Sequence, residues 1–146
     1  MVDIDGKVKI YFDLKHKPRQ QQIRGLNFIK KSIKRGKSYM LLNLPTGVGK
    51  SYLSVMFINW YLNNINEDAK FDILTNSKIL QEQYIKEFPY IRNLKGRSNY
   101  WCAKYQTNCE EGLEICSVKK SRCNECPYQN AVDNYISSTV SLTNFH

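Results

Sequence analysis

A glycine-bearing bend between two apolar runs restricts what this chain can fold into more than any other feature. Tyr39-Met40-Leu41-Leu42-Asn43-Leu44 is short, mostly apolar and ended by Pro45, the pattern of a strand buried on both faces. Ser51 to Asn64 carries apolar residues nearly all round, as a helix packed on a sheet does. The junction reads Leu44-Pro45-Thr46-Gly47-Val48-Gly49-Lys50-Ser51. Glycines there let successive backbone N–H groups turn inward, and a helix beginning near Lys50 aims the positive end of its dipole at the same point. This is the chemistry of a triphosphate cradle. Thr46, Gly47, Val48 and Gly49 would form the loop, Lys50 would reach the β- and γ-phosphates as the catalytic lysine, and the Ser51 hydroxyl would ligate Mg²⁺. The strict motif has Gly where this chain has Leu44, so the match is to Thr-Gly-x-Gly-Lys-Ser. A strand-to-helix turn that binds nothing is the plain alternative.

The flanking sequence continues the same alternation. Residues 18–35 begin with Pro18, carry Ile23, Leu26, Ile29 and Ile33 at helical spacing, and stop at Gly36. Phe71–Thr75 reads as a second strand, Lys78–Phe88 as an amphipathic helix, Tyr128–Ser137 as another helix and Thr139–Thr143 as a third strand. Strands alternating with helices favour a parallel sheet with right-handed crossovers, hence an α/β fold. Between Lys95 and about Cys126 the periodicity disappears. All five cysteines fall there, at Cys102, Cys109, Cys116, Cys123 and Cys126.

An odd, clustered set of cysteines in a chain with no export signal argues for metal rather than disulfides. The segment is too short for a core of its own, so cross-links or metal must hold it. A zinc ribbon needs two Cys-x-x-Cys knuckles, and only Cys123–Cys126 has that spacing; iron–sulfur needs four thiolates, leaving one of five spare. Spacing alone does not choose between the two metals.

With 146 residues, 42% hydrophobic and 24% charged, the chain has the composition of one soluble domain rather than a disordered or fibrous segment. No run approaches the roughly 18 apolar residues of a membrane span, and the first residues lack the build of a signal peptide. A cytoplasmic or nuclear, non-secreted and membrane-free setting is the expectation. Of the net charge of +9, residues 1–37 carry +8. Such a cluster suits a polyanion, since each neutralised phosphate releases counterions, although a charge run is as often a solvated face. The two histidines, His16 and His146, make a histidine metal site or catalytic base improbable.

Four blocks together resemble the start of a superfamily-two helicase of the XPD-like and DinG-like iron–sulfur type. Pro18-Arg19-Gln20-Gln21-Gln22 resembles the element ahead of the phosphate loop, and Leu44–Ser51 resembles motif I. Ile73-Leu74-Thr75-Asn76 with Leu80-Gln81-Glu82-Gln83-Tyr84 resembles motif Ia. Lys95-Gly96-Arg97-Ser98-Asn99-Tyr100-Trp101-Cys102, then Cys126-Pro127-Tyr128 and Val140-Ser141-Leu142-Thr143-Asn144-Phe145-His146, resembles the stretch that opens and closes a cluster insertion.

The resemblance implies a partial RecA-like P-loop domain at 1–94, a cysteine-rich metal-binding insertion at 95–127 and a return to the RecA-like domain at 128–146. It implies that Gln22 reads adenine beside Arg19, that motif Ia lies along single-stranded DNA, and that the cysteines hold a 4Fe–4S cluster with Cys123 spare. It makes Arg97, Lys104, Lys119, Lys120 and Arg122 candidates for phosphate contact, and Tyr100, Trp101 and Tyr105 candidates for base stacking. In that family an Asp-Glu-Ala-His box and a second RecA-like domain follow, so the expectation is an N-terminal helicase fragment. Such a fragment would bind Mg·ATP and single-stranded or forked DNA, be incomplete for hydrolysis by itself, and have its C-terminal portion supplied in cis. The competing reading is a non-catalytic nucleic-acid-binding module with a zinc-stapled loop.

Overall fold

The computed structural model describes residues 16–119 and 125–144, which form two compact units, one ending at Ala69 and the other beginning at Lys70. In the first unit, α1 (Gln20–Lys34) starts where the Arg19 N–H donates to the Gln22 side-chain oxygen at 2.8 Å. It ends in the left-handed turn that Gly36 permits at φ +70°. There the Gly36 N–H donates to the Ile33 carbonyl and the Lys37 N–H to that of Ser32, satisfying the last turn's carbonyls. Lys31 and Lys34 lie in that turn, where the helix dipole favours cations.

The second helix, α2 (Lys50–Asn64), buries Leu53, Val55, Met56 and Ile58. α1 approaches it closely because Gly25 has no side chain: a Cβ there would come within 2.8 Å of Leu53 Cδ2. Phe57, Trp60 and Tyr61 form an aromatic group on α2, with Lys30 Nζ 5.0 Å from the Trp60 ring centre.

The run at 39–44 is not the doubly buried strand that its composition predicts. Every strand among the described residues lies at or after Phe71. Tyr39 and Leu41 are 96% and 92% exposed, while Met40, Leu42 and Leu44 are half-buried. The alternation of an extended chain is present, but among the described residues no neighbour takes up its N–H and C=O groups in a ladder, and a strand exists only by such pairing.

The second unit is built on a parallel sheet. Its strands are β1 (Phe71–Thr75), β2 (Arg92–Asn93) and, last in the chain, β5 (Val140–Asn144), in the order β1-β5-β2 with both pairings parallel. β5 is therefore the central strand, and its Leu142 is fully buried. α3 (Lys78–Glu87) is capped by Ser77, whose hydroxyl accepts from the Leu80 N–H at 3.2 Å. Gln81 of α3 is also fully buried and donates to Asn93 Oδ1 and the Leu94 carbonyl, at 2.5 and 3.0 Å. The same Leu94 carbonyl accepts from Thr143 Oγ1, so one loop residue ties α3 to the central strand.

Residues 95–126, where no periodicity is legible, contain ordered elements after all. A 3-10 turn at Arg97–Asn99 leads into an antiparallel hairpin of β3 (Trp101–Cys102) and β4 (Thr107–Asn108), and α4 (Cys109–Lys119) follows at once. α5 (Pro127–Ser137) has Pro127 in its first turn, where the missing N–H costs nothing. The α/β class with a parallel sheet agrees with the alternation of helices and strands in the sequence.

Two consequences are measurable. Leu142→Ala leaves a void in the central strand and is expected to lower stability by about 2–5 kcal/mol in urea unfolding. The Tyr135 hydroxyl is pushed up to about 12 by burial and by its hydrogen bond to the Asp72 carboxylate. Its raised value favours the folded state below pH about 10, a contribution lost as pH rises towards 12. Absorbance titration of the tyrosinates should show a late component that is absent in Tyr135→Phe.

Candidate functional site

In the first unit the loop before α2 has Gly47 at φ +80° and Gly49 at φ +83°, conformations that only glycine adopts without strain. The loop carbonyls face α1. Arg19 Nη1 donates to the Gly47 carbonyl at 2.6 Å, and Gln22 Nε2 donates to those of Val48 and Gly49 at 2.9 and 3.2 Å. Gln22 is only 4% exposed, and a Cβ on Gly49 would sit 2.6 Å from its Nε2. The Gly49 carbonyl also accepts from Leu53 N–H, the first bond of α2.

These bonds decide where the loop's N–H groups point. No peptide here is cis, and a trans peptide carries its C=O and the following N–H on opposite sides. Turning the carbonyls of Gly47, Val48 and Gly49 towards α1 therefore turns the N–H groups of Val48, Gly49 and Lys50 the other way. That leaves a set of donors at a helix N-terminus, on the side away from α1, suited to an anion. Thr46 and the Lys50 side chain are exposed, Ser51 is half-buried in the first turn of α2, and Val48 is buried. The structure thus brings Arg19 and Gln22 to the loop, but it spends both amide hydrogens of Gln22 on loop carbonyls. Nearby, the Tyr52 hydroxyl is bonded to the main chain of His16, both accepting from its N–H and donating to its carbonyl.

In the second unit, Cys102, Cys109, Cys116 and Cys126 line one cavity of about 340 Å³. α4 contributes Cys109, Gly112, Leu113 and Cys116, and α5 with its N-cap contributes Cys126, Gln129, Asn130 and Asp133. Both sets follow the spacing i, i+3, i+4, i+7, which is one face of a helix. The hairpin supplies Cys102, because strand alternation turns it inward while Trp101 faces out. Gly112 makes room: a Cβ there would lie 3.3 Å from both Cβ and Sγ of Cys102.

Burial pushes the Cys109 thiol above its ordinary value, opposed by a hydrogen bond from the Tyr128 N–H and reinforced by the Cys126 and Cys102 thiols facing it. Arg97 reaches the cavity wall with its guanidinium 4.2 Å from the Tyr128 ring centre, and Tyr128 meets Tyr100 edge-on at 5.5 Å. Among the described residues no group of three or more His, Cys, Asp or Glu side chains is arranged to hold a metal ion. Cys123, Lys120 and Arg122 lie outside the described residues, as does the Lys119 side chain.

Other residues singled out by sequence are sorted by exposure. Of motif Ia, Gln81 and Tyr84 are buried, whereas Glu82 and Gln83 face solvent. Trp101 and Lys104 are exposed, Tyr100 and Tyr105 half-buried, and Lys104 Nζ stands 5.3 Å from the Tyr105 ring centre. No helix among the described residues is long and apolar enough to cross a membrane.

Comparison with known proteins gives one family. No curated protein and no solved structure matches the chain. The model of the type III restriction enzyme, res subunit, matches residues 15–144, nearly the whole length. With its donor-lined loop and parallel sheet, the chain belongs to that family, a helicase-like domain of superfamily two.

Proposed function

We propose that the chain is the nucleotide-binding part of an ATP-dependent nucleic-acid helicase, of the iron–sulfur type that XPD-like and DinG-like enzymes represent. The observation that carries the first half is the orientation of the loop. Its N–H groups are turned away from α1 by three hydrogen-bonded carbonyls, the arrangement a polyphosphate needs. Lys50 adds a mobile positive charge for the β- and γ-phosphates, and the Ser51 hydroxyl completes the coordination of Mg²⁺, which neutralises charge developing on the phosphates. In this reading DNA runs past the end of β1 and the exposed residues of motif Ia.

The metal reading rests on the cavity. A zinc ion holds its thiolates at about 2.3 Å, so four ligands must converge on one point. The four cavity cysteines line one space, and four thiolates are the ligand set of a 4Fe–4S cluster. Cys102, Cys109, Cys116 and Cys126 would hold it, leaving Cys123 spare. When bound, the cluster supplies fixed cross-links between the hairpin, α4 and α5 in place of an apolar core. The division into 1–94, 95–127 and 128–146 follows from the same reading, with the insertion ending at the N-terminus of α5.

Calorimetry with Mg·ATP should register binding to the wild-type chain and a loss of at least about tenfold in Lys50→Ala; equal heats for both would remove the motor interpretation. Anaerobically purified protein should be brown and carry iron and sulfide in equal amounts. Serine at any of Cys102, Cys109, Cys116 or Cys126 should abolish the colour, while Cys123→Ser keeps it. Colourless protein containing zinc would favour the stapled binding module.

A further inference from the structure

We infer that Arg19 is a positioning residue for the phosphate loop, acting on the loop's own backbone rather than on the nucleotide base. The inference rests on reading the loop as a triphosphate site. Gly47 and Gly49 permit the loop's shape, but glycine permits other shapes almost equally. A rotation of the Gly47–Val48 peptide would exchange its ends and present a carbonyl, instead of an N–H, to the anion. Nothing in the glycines forbids that exchange.

Arg19 does, because its guanidinium donates to the Gly47 carbonyl at 2.6 Å, a charge-assisted bond that the rotated peptide loses. Gln22 fixes the next two carbonyls in the same sense. The two roles are coupled through the helix start, since the Arg19 N–H is itself held by Gln22 Oε1. The guanidinium thus sits on the carbonyl side of the peptide plane, opposite the N–H groups, so it serves phosphate binding without lying among the phosphates. Gln22 keeps only an acceptor site on its oxygen for a further partner, because its two amide hydrogens are both engaged and its oxygen already accepts one bond.

The test separates phosphate from base. Arg19 is exposed and Gln22 buried, so Arg19→Ala is the variant that leaves packing intact, with thermal unfolding as the control. Calorimetry in Mg²⁺ would use inorganic tripolyphosphate, ATP and adenosine as probes. Arg19→Ala should weaken tripolyphosphate and ATP alike by about tenfold and leave adenosine unchanged, and Arg19→Lys, which keeps a charged donor, should recover part of the loss. A loss for ATP and adenosine with tripolyphosphate intact would assign Arg19 to the base and overturn the inference, as would no loss for any probe. Failure of the underlying reading looks different: wild-type protein would then bind neither tripolyphosphate nor ATP, or Lys50→Ala would bind both undiminished.

Discussion

A peptide unit can offer either its oxygen or its hydrogen to one side, and the organisation of the first unit follows from that choice. By accepting from Arg19 and Gln22, three loop carbonyls commit the opposite side to N–H groups. The commitment reaches further than the loop. The buried residues of α1 are Gln22, Gly25 and Ile29, one stripe at helical spacing. The polar end of that stripe grips the loop, and the next position along, Gly25, lets α1 settle against Leu53 of α2. Helix packing and loop orientation are therefore one arrangement: a shift of α1 that relaxed the close contact at Gly25 would also lengthen the bonds from Gln22.

The cysteine cavity poses a different physical problem, since thiols facing one another bury little apolar surface. Its walls are two helix faces and one strand residue, and several of the lining groups are polar: Gln129, Asn130 and Asp133. Cys109 illustrates the tension, with burial holding its proton on while the Tyr128 N–H favours the thiolate. Backbone N–H donation to sulfur suits a metal-bound thiolate, whose charge such a donor stabilises.

The sequence was legible where an element carries its own signal. α1, α2, β1, α3, α5 and β5 follow apolar periodicity or runs bounded by Pro and Gly, and each forms within a few residues of the expected ends. The run at 39–44 misled because an apolar composition says how much a strand would bury, not whether another strand lies beside it. α4 was missed because Gly112 and alternating acidic and apolar residues blur any stripe. One signal was present: Cys109 and Cys116 are seven apart, two helical turns, and so share a face. At the loop, the nearness of Arg19 and Gln22 to the glycine-bearing bend was legible, but their partners were not, because a motif names residues and does not say which atoms they satisfy.

Net charge is weaker support for a nucleic-acid partner than the sequence suggests. Within the basic stretch, Lys31 and Lys34 meet the negative end of the α1 dipole, Lys30 lies over Trp60, and Arg19 is bonded to the loop. Each has a structural role that would exist without a polyanion. The stronger argument comes from the hairpin, where strand alternation places Trp101 and Cys102 on opposite faces. Trp101 is 62% exposed, and Lys104, also exposed, follows in the turn. In the proposed helicase reading, such aromatic and cationic side chains would serve the stacking and phosphate contacts of a single strand. If a cluster fixes Cys102 from within, it also fixes the direction in which Trp101 points, so metal retention and strand contact would be linked through two adjacent residues.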